Sequence, residues 1–360
     1  MDVPDYSIDQ IFMKRCLQLA LNGKATCAPN PMVGAVVVHK GKIIGEGWHR
    51  KAGELHAEPN AIRSVIDPDL LKESTLYVNL EPCSHYGKTP PCADLIIDKH
   101  IPRVVIGSVD ACPLVAGKGV SRLRAAGIHV TLGVEEAACL DLNRAYFNFF
   151  INKRPYVILK WAQTADGFMD ISRVPGEQNC ALKISTSFTQ LISHKLRSEC
   201  DAILVGTKTA VLDNPSLNVR AWTGNNPIRM LIDRGLILPV DYNLLNGEIQ
   251  TIVFTEKPSS KKGNISWIHL DFETSVVEQI IDKLYTLNIH TLLVEGGAFL
   301  LDSFLKSGLW NEIHVETSAL HIDKGVSVPD ISDLSHTVME DHLFGVGKNS
   351  RSIRVYRRVE

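Results

Sequence analysis

Short apolar runs alternating with helix-patterned stretches limit what this chain can become more than any single residue does. In the first half, VGAVVV (33–38), TLYVNL (75–80) and RVVIGS (103–108) read as buried strands, and the segments between them, around 57–66 and 92–100, carry helical spacing. Ahead of them, Ser7 and Gln10 suggest a capping box. Ile8, Ile11, Phe12, Cys16, Leu19 and Ala20 then recur at helical intervals up to Gly23, which predicts an amphipathic opening helix. Such alternation implies a layered α/β domain.

Around residue 150 the segment FNFFINKRPYVILKW holds a polar break, Asn152 to Pro155, and a new β-rich run follows. We place a boundary there, giving domains 1–148 and 149–360. Strand-like runs at 156–161, 202–205, 228–232, 250–254, 291–294 and 312–316 enclose helical stretches near 186–198, 275–288 and 298–307, so the second half is again α/β. KPSSKKGN (257–264) reads as a solvated loop. A length of 360 residues suits two ordinary domains, and 45% hydrophobic against 22% charged residues is enough for sizeable cores. A formal net charge of −2 disfavours nucleic acid or an anionic membrane as partner. No apolar run approaches the ~18 residues of a membrane span, and MDVPDYSIDQ lacks the basic-then-apolar start of a secretory signal. A cytoplasmic location is expected. Eight cysteines are too sparse for a disulfide scaffold in a chain this long, so they are thiols unless some bind metal.

The chemistry concentrates in His56-Ala57-Glu58 and in EPCSHYGKTPPC, where Cys83 and Cys92 each follow a proline. One imidazole and two thiolates leave the fourth tetrahedral position of Zn²⁺ to water, whose pKa the metal lowers toward ~7. Pro59 fits only the first turn of a helix, and Pro90 and Pro91 precede another apolar helical run, so both halves of the motif belong at helix starts. Glu58, two residues from His56, is placed to move protons. A structural zinc site would instead need a fourth protein ligand, such as His85 or His49, and would leave Glu58 without a role. Cys16, Cys27, Cys139, Cys180 and Cys200 read as core thiols.

This pattern resembles the zinc-dependent nucleobase deaminases, whose signature pairs H-x-E with P-C-x-x-C. Here eight residues separate the cysteines instead of two, and that interval is similar to the branch of bifunctional riboflavin-biosynthesis deaminase/reductases. APNPMVGAVVV (28–38), AGELHAE (52–58), LEPCSHYGKTPPC (80–92) and AAGIHV (125–130) carry the likeness through the first half. KWAQTADG (160–167), DAILVGTKTAVLDNPSLNVR (201–220) and LLVEGGAFLLDSFL (292–305) carry it through the second. The resemblance implies a cytidine-deaminase-like three-layer αβα domain followed by a dihydrofolate-reductase-like α/β domain. Zinc would serve the first and NADPH the second. The substrate would be a small phosphoribosylaminopyrimidine, deaminated and then reduced in its ribosyl side chain, and the chain would form a homo-oligomer.

Carried over by residue, the resemblance makes Glu58 catalytic and His56, Cys83 and Cys92 the zinc ligands, with Asn30 and Pro31 against the pyrimidine and Glu81 just ahead of the cysteine turn. Thr164, Thr209, Asp213 and the run Gly297, Ala298, Phe299, Leu300, Leu301, Asp302 and Ser303 would contact NADPH. Arg197, Leu217, Arg220 and Glu295 would face the substrate, the arginines suiting its phosphate. Lys208 is a candidate for the cofactor's 2′-phosphate. The residues agree in part: TLLV (291–294) reads as a strand, Gly296-Gly297 admits close backbone approach, and a helical pattern follows. No G-x-G-x-x-G follows a strand, which excludes an ordinary Rossmann fingerprint. The chain departs from family motifs at Asp110-Ala111-Cys112-Pro113, at Thr164-Ala165-Asp166-Gly167 and at Lys183-Ile184-Ser185, where the family commonly has W-I-T. Two alternatives stay open: a nucleoside or tRNA deaminase with an unrelated extension, and a zinc deaminase whose second domain is a non-catalytic scaffold.

Overall fold

The computed structural model describes residues 6–86, 90–113, 115–173 and 180–359, and the chain divides into compact units Met1–Lys153 and Arg154–Glu360. In the first unit the elements run α1 (Tyr6–Ala20), β1 (Gly34–His39), β2 (Lys42–Trp48), α2 (Ala57–Arg63), β3 (Ser74–Leu80), α3 (Cys92–Asp98), β4 (Arg103–Ser108), α4 (Lys118–Ala125), β5 (His129–Leu132), α5 (Glu136–Leu142) and α6 (Arg144–Asn152). The five strands order as β2-β1-β3-β4-β5, antiparallel across the first two pairings and parallel across β3-β4-β5.

The central strands are mostly apolar because both of their faces are covered. Val36 and Val38 of β1, Tyr77 of β3 and Val105 of β4 pack with Phe12, Met13, Cys16 and Leu19 of α1 and Cys139 of α5. Their alternate residues, among them Ala35, Val37, Leu76, Val78, Val104 and Ile106, pack on the opposite face with side chains of α2, α3 and α4. Side chains alternate along a strand, so the result is three αβα layers. The opening helix buries a narrower stripe than its pattern suggests. Phe12, Met13, Cys16, Leu19 and Ala20 are inside, whereas Ile8 and Ile11 are exposed. The Ser7 side chain lies outside the described residues. The expected boundary at 148/149 falls inside α6, where Phe147, Asn148 and Phe149 are buried; the break between the units comes after Lys153.

The second unit runs β6 (Tyr156–Gln163), β7 (Phe168–Asp170), α7 (Ser187–Ser198), β8 (Ala202–Gly206), α8 (Thr207–Asp213), β9 (Ile228–Ile232), β10 (Thr251–Thr255), β11 (Ser260–Lys262), β12 (Ile265–His269), α9 (Val276–Thr286), β13 (Thr291–Glu295), α10 (Ala298–Ser307), β14 (Glu312–Ser318), β15 (Val326–Ser327), β16 (His336–Phe344) and β17 (Arg351–Arg358). Its main sheet has the order β11-β12-β10-β9-β8-β13-β6-β14-β17-β16. It is parallel from β12 to β14 and antiparallel at both rims. After β6 the chain moves outward through β8, β9, β10 and β12, then returns to insert β13 between β8 and β6. Open parallel sheets bind ligands beyond the carboxyl ends of their strands at such a reversal.

Two segments differ from their sequence pattern. Residues 257–264 are not all loop: Ser260–Lys262 form β11, a short edge strand whose exposed serine and lysines carry no apolar signal and discourage further pairing. The hairpin of β16 and β17 is also cryptic, because β16 is exposed along almost its whole length and lacks an apolar face. Among the described residues no helix is long and apolar enough to cross a membrane.

What seats α2, the helix of the HAE motif, is the absence of side chains on β2. A Cβ on Gly45 would stand 2.5 Å from the Ala61 carbonyl oxygen, and one on Gly47 would stand 2.3 Å from Ala61 N and 2.7 Å from Ala57 O. These contacts are backbone and cannot turn aside, so glycine lets the helix lie directly on the strand. Gly47→Ala is therefore expected to cost about 1–3 kcal/mol through overpacking. It should also lower the metal content of the purified protein by displacing α2; equilibrium denaturation and elemental analysis read the two effects.

Candidate metal centre and ligand cleft

His56, Cys83 and Cys92 arrive from three local devices. His56 is the N-cap of α2, Cys83 lies three residues beyond β3, and Cys92 is the first residue of α3. Pro59 sits in the first turn of α2 and Pro91 caps α3, as the restricted φ of proline allows. The His56 Nδ1 lies 3.5 Å from the Cys83 Sγ and 3.4 Å from the Cys92 Sγ, and all three donor atoms fall within 4.8 Å of one another. The Cys92 backbone N–H donates to the Cys83 sulfur at 3.3 Å. Among the described residues no fourth protein ligand joins them.

Without a cation this cluster is electrostatically unsettled. The hydrogen bond with Cys92 holds the Cys83 thiol down to about 4, while the same contact, together with burial, pushes Cys92 well above the usual thiol range. His56, hydrogen-bonded to Cys83, rises to about 9. Two sulfurs this close cannot both ionise beside one imidazole unless a cation compensates them. One nitrogen and two sulfurs, with one direction free of protein ligands, fit tetrahedral zinc with an open position.

Glu58 lies beside this group in the first turn of α2 and is 3% exposed. Burial raises its carboxyl to about 7 against the pull of His56, which suits a group that must both take and give a proton near neutrality. His49 is excluded as a ligand because both ring nitrogens are occupied. Nδ1 donates to the Leu55 carbonyl at 3.1 Å, so Nε2 accepts from the Asn30 amide at 3.0 Å. Its ring stands edge-on to His56 with centroids 5.4 Å apart. His49 thus fixes Asn30 next to the metal-capable group, a supporting role no motif announced. Exposed His85 is outside the cluster. Glu81 is structural, since its buried carboxylate accepts from the backbone N–H groups of Asp110, Gly117 and Val120 and so ties the end of β4 to the start of α4. Asp110 in turn accepts from Tyr146 Oη and the Cys112 N–H.

In the second unit a cleft of about 410 Å³ opens at the carboxyl ends of β6, β8 and β13. Of the residues expected at the cofactor and substrate, Thr209, Asp213, Gly297, Ala298, Arg197, Leu217 and Glu295 line it. Gly296 and Gly297 both have φ near +79°, and a Cβ on either would press within 3.2 Å of Thr209, so this turn demands glycine twice. Other expected residues stand elsewhere. Thr164 is fully buried and accepts from the Phe168 N–H at 3.0 Å. Leu300 and Leu301 pack into the core, and Phe299 is exposed. Asp302 pairs with Lys306 at 2.6 Å, and Ser303 Oγ donates to the Phe299 carbonyl. From Phe299 onward, then, the run turns its side chains away from the cleft. Arg220 is exposed, bonds the Asn218 side chain and does not line the cleft.

Arg197 lines the cleft, but its guanidinium fork is already engaged. Glu295 holds it, with Nε–Oε1 3.0 Å and Nη2–Oε2 2.6 Å, so the two parallel bonds anticipated for a phosphate are made to a buried carboxylate. Sequence reasoning missed Arg173, which lies on the same wall and ties Asp170 to Asp213 at 2.5 and 2.6 Å. Lys160, Lys183 and Lys208 complete the cationic lining.

Comparison with known proteins agrees with both halves. A family model described as the cytidine and deoxycytidylate deaminase zinc-binding region matches residues 6–108, and one described as the RibD C-terminal domain matches 155–320. The riboflavin biosynthesis protein RibD of Aquifex aeolicus is 42% identical over 332 residues, covering 90% of each chain. The RibD of Synechocystis is 39% identical over 327 residues, covering 89% of this chain and 87% of that protein. A crystal structure from Thermotoga maritima, described as a diaminohydroxyphosphoribosylaminopyrimidine deaminase/5-amino-6-(5-phosphoribosylamino)uracil reductase, superposes with TM-score 0.87 at 35% identity, covering 98% of this chain and 99% of that one.

Zinc ligation requires both thiolates and a neutral imidazole, whereas near neutral pH the metal-free site retains the protons of Cys92 and His56. Zinc binding to metal-free protein should therefore release about two protons at about pH 7, and its apparent affinity should rise with pH by up to about a hundredfold per unit. The slope should relax toward one proton above about 9, where His56 is already neutral. Calorimetry in buffers of differing ionisation enthalpy measures the proton count; a pH-independent affinity would contradict this picture.

Proposed function

This chain belongs to the RibD family, the bifunctional deaminase/reductases of riboflavin biosynthesis, and from that premise we propose which residues carry each activity and on which substrate. The first domain is a zinc-dependent, cytidine-deaminase-like deaminase and the second a reductase that uses NADPH. Because the family is bifunctional, the scaffold reading of the second domain falls away, as does the nucleoside or tRNA deaminase with an unrelated extension. The proposed substrate is 2,5-diamino-6-(5-phosphoribosylamino)pyrimidin-4-one. Its ring amino group is removed first, and its ribosyl group is then reduced to ribityl.

The observation that carries the deaminase assignment is the convergence of His56 Nδ1 and the two sulfurs beside a buried carboxyl that titrates near 7. Bound zinc supplies an open coordination position that activates water toward the amino-bearing carbon. His56, Cys83 and Cys92 would hold the metal, Cys92 from a buried position and the other two from partly buried ones, which limits the screening of their charges by solvent. Glu58 would take one proton from water and deliver it to the ring nitrogen, then take the remaining proton of the added hydroxyl and deliver it to the departing amine, which leaves as ammonia. Asn30, oriented by His49, faces the pyrimidine.

For the reductase, the support is a cleft at the chain reversal of a parallel sheet, floored by a double-glycine turn at the start of α10. The bound nicotinamide supplies the hydride. Thr209 packs on the Gly296-Gly297 turn and shapes the cofactor's seat. Asp213 is held by Arg173, and Arg197 is held by Glu295, so each of these charges reaches the cleft with its orientation set by a partner. A cytoplasmic location and a homo-oligomeric assembly complete the reading.

Glu58→Gln keeps the shape of the side chain and removes its titration. It is expected to retain zinc, to lose about 10²–10⁴-fold in deamination rate and to leave the reductase untouched. Ammonia release, elemental analysis and NADPH absorbance follow the three quantities separately, and near-normal ammonia release would remove Glu58 from its role.

A further inference from the structure

The charges of the reductase cleft do not balance. Five cationic side chains line it, Lys160, Arg173, Lys183, Arg197 and Lys208, against the carboxylates of Asp170, Asp213 and Glu295. Arg173 serves both aspartates, Arg197 serves Glu295, and Lys160 occupies the register position beside Glu295 on the neighbouring strand. Among the described residues, Lys183 and Lys208 line the cleft with no carboxylate partner. Lys183 is itself exposed, and the short segment that carries it, with Ile184 buried, is pinned in three places. The Leu182 N–H donates to Asp170 Oδ1 at 2.8 Å, Arg351 Nε donates to the Ile184 carbonyl at 2.6 Å, and Ser185 Oγ donates to Glu316 Oε2 at 2.6 Å. Thr189, near the start of α7, donates to the other Glu316 oxygen at 2.6 Å. Glu316 and Arg351 are 2% and 6% exposed and lie 3.9 Å apart. Burying both ions is costly, and here their hydrogen bonds converge on the short segment that carries the lysine.

We infer that Lys183 is an anion-recognition residue of the reductase cleft, directed at a phosphate group of its ligands, and that Glu316 and Arg351 are positioning residues that hold it there. The inference rests on the reductase reading. The phosphate has three sources with one chemistry: the 2′-phosphate of NADPH, the pyrophosphate of either nicotinamide dinucleotide, and the ribose phosphate of the substrate.

The test is calorimetric binding of NADPH, NADH and ribose 5-phosphate to the full-length zinc-loaded protein, which does not depend on turnover. Lys183→Ala should weaken at least one probe roughly tenfold, the size of a lost charge-assisted hydrogen bond, and Lys183→Arg should restore most of it. An effect on NADPH alone identifies the 2′-phosphate, a shared effect on NADPH and NADH the pyrophosphate, and an effect on ribose 5-phosphate alone the substrate. Glu316→Gln, with Ser185→Ala as the milder variant, should weaken the same probe by a smaller factor while deaminase turnover is unchanged. Combining Glu316→Gln with Lys183→Ala should weaken it no further than Lys183→Ala does, because nothing is left to position. Wild-type affinities in Lys183→Ala, or losses that simply add, overturn the inference while leaving the reductase reading intact. Wild-type protein that binds none of the probes overturns both.

Discussion

Two sulfurs and one imidazole nitrogen held within a few ångströms of each other are the constraint on which the deaminase half depends. Left alone, they can only share protons: Cys83 ionises at the expense of Cys92, and His56 holds a proton to balance Cys83. The arrangement makes sense around a divalent cation, which displaces both protons and turns an uneasy cluster into a satisfied one. Glu58 profits from the same burial. A carboxyl in water would be ionised throughout the neutral range, but in this wall it titrates near 7 and can change protonation state during a reaction.

The reductase cleft solves a different problem with paired charges. Its acidic side chains are each tied to an arginine, so they contribute shape and orientation more than net field. Pairing also changes what Arg197 can offer a ligand in the cleft it lines. A guanidinium with its fork engaged by a buried carboxylate is a wall, and its remaining N–H groups are what a ligand meets. The unpaired lysines are the groups left to attract an anion.

What was readable beforehand follows from how local the underlying physics is. His56, Glu58, Cys83 and Cys92 stand in two short motifs whose prolines already announce helix starts, so the proposed ligand set and proton shuttle could be named together. The buried strands were legible because burial on both faces leaves a continuous apolar run. Partners supplied from far away in sequence were not legible: Glu295 lies 98 residues from Arg197, and Glu316 lies 131 residues from Ser185. Neither was the supporting role of His49, since nothing in its neighbours distinguishes a ring that orients an asparagine from one that binds metal. The strands β2, β11 and β16 escaped for the opposite reason to the core strands: glycines, lysines or full exposure remove the apolar alternation by which a strand is recognised.

Both halves nevertheless place their chemistry by one device, a parallel strand ending beside the start of a helix. In the first, β3 leads toward Cys83 and α3 opens on Cys92; in the second, β13 ends at Glu295 and α10 opens after two glycines. The strand is anchored on both sides by its neighbours, so the residue at its tip has little freedom, and the helix start brings unpaired backbone N–H groups to the same point. What differs is the element that completes each site. Sulfur and imidazole suit the first to a soft-to-borderline cation, whereas bare glycine backbone and surplus lysines give the second the chemistry proposed for a phosphate-bearing ligand. One scaffold rule therefore yields a metal site or a nucleotide site according to which side chains are set at the strand tip and which are withheld there.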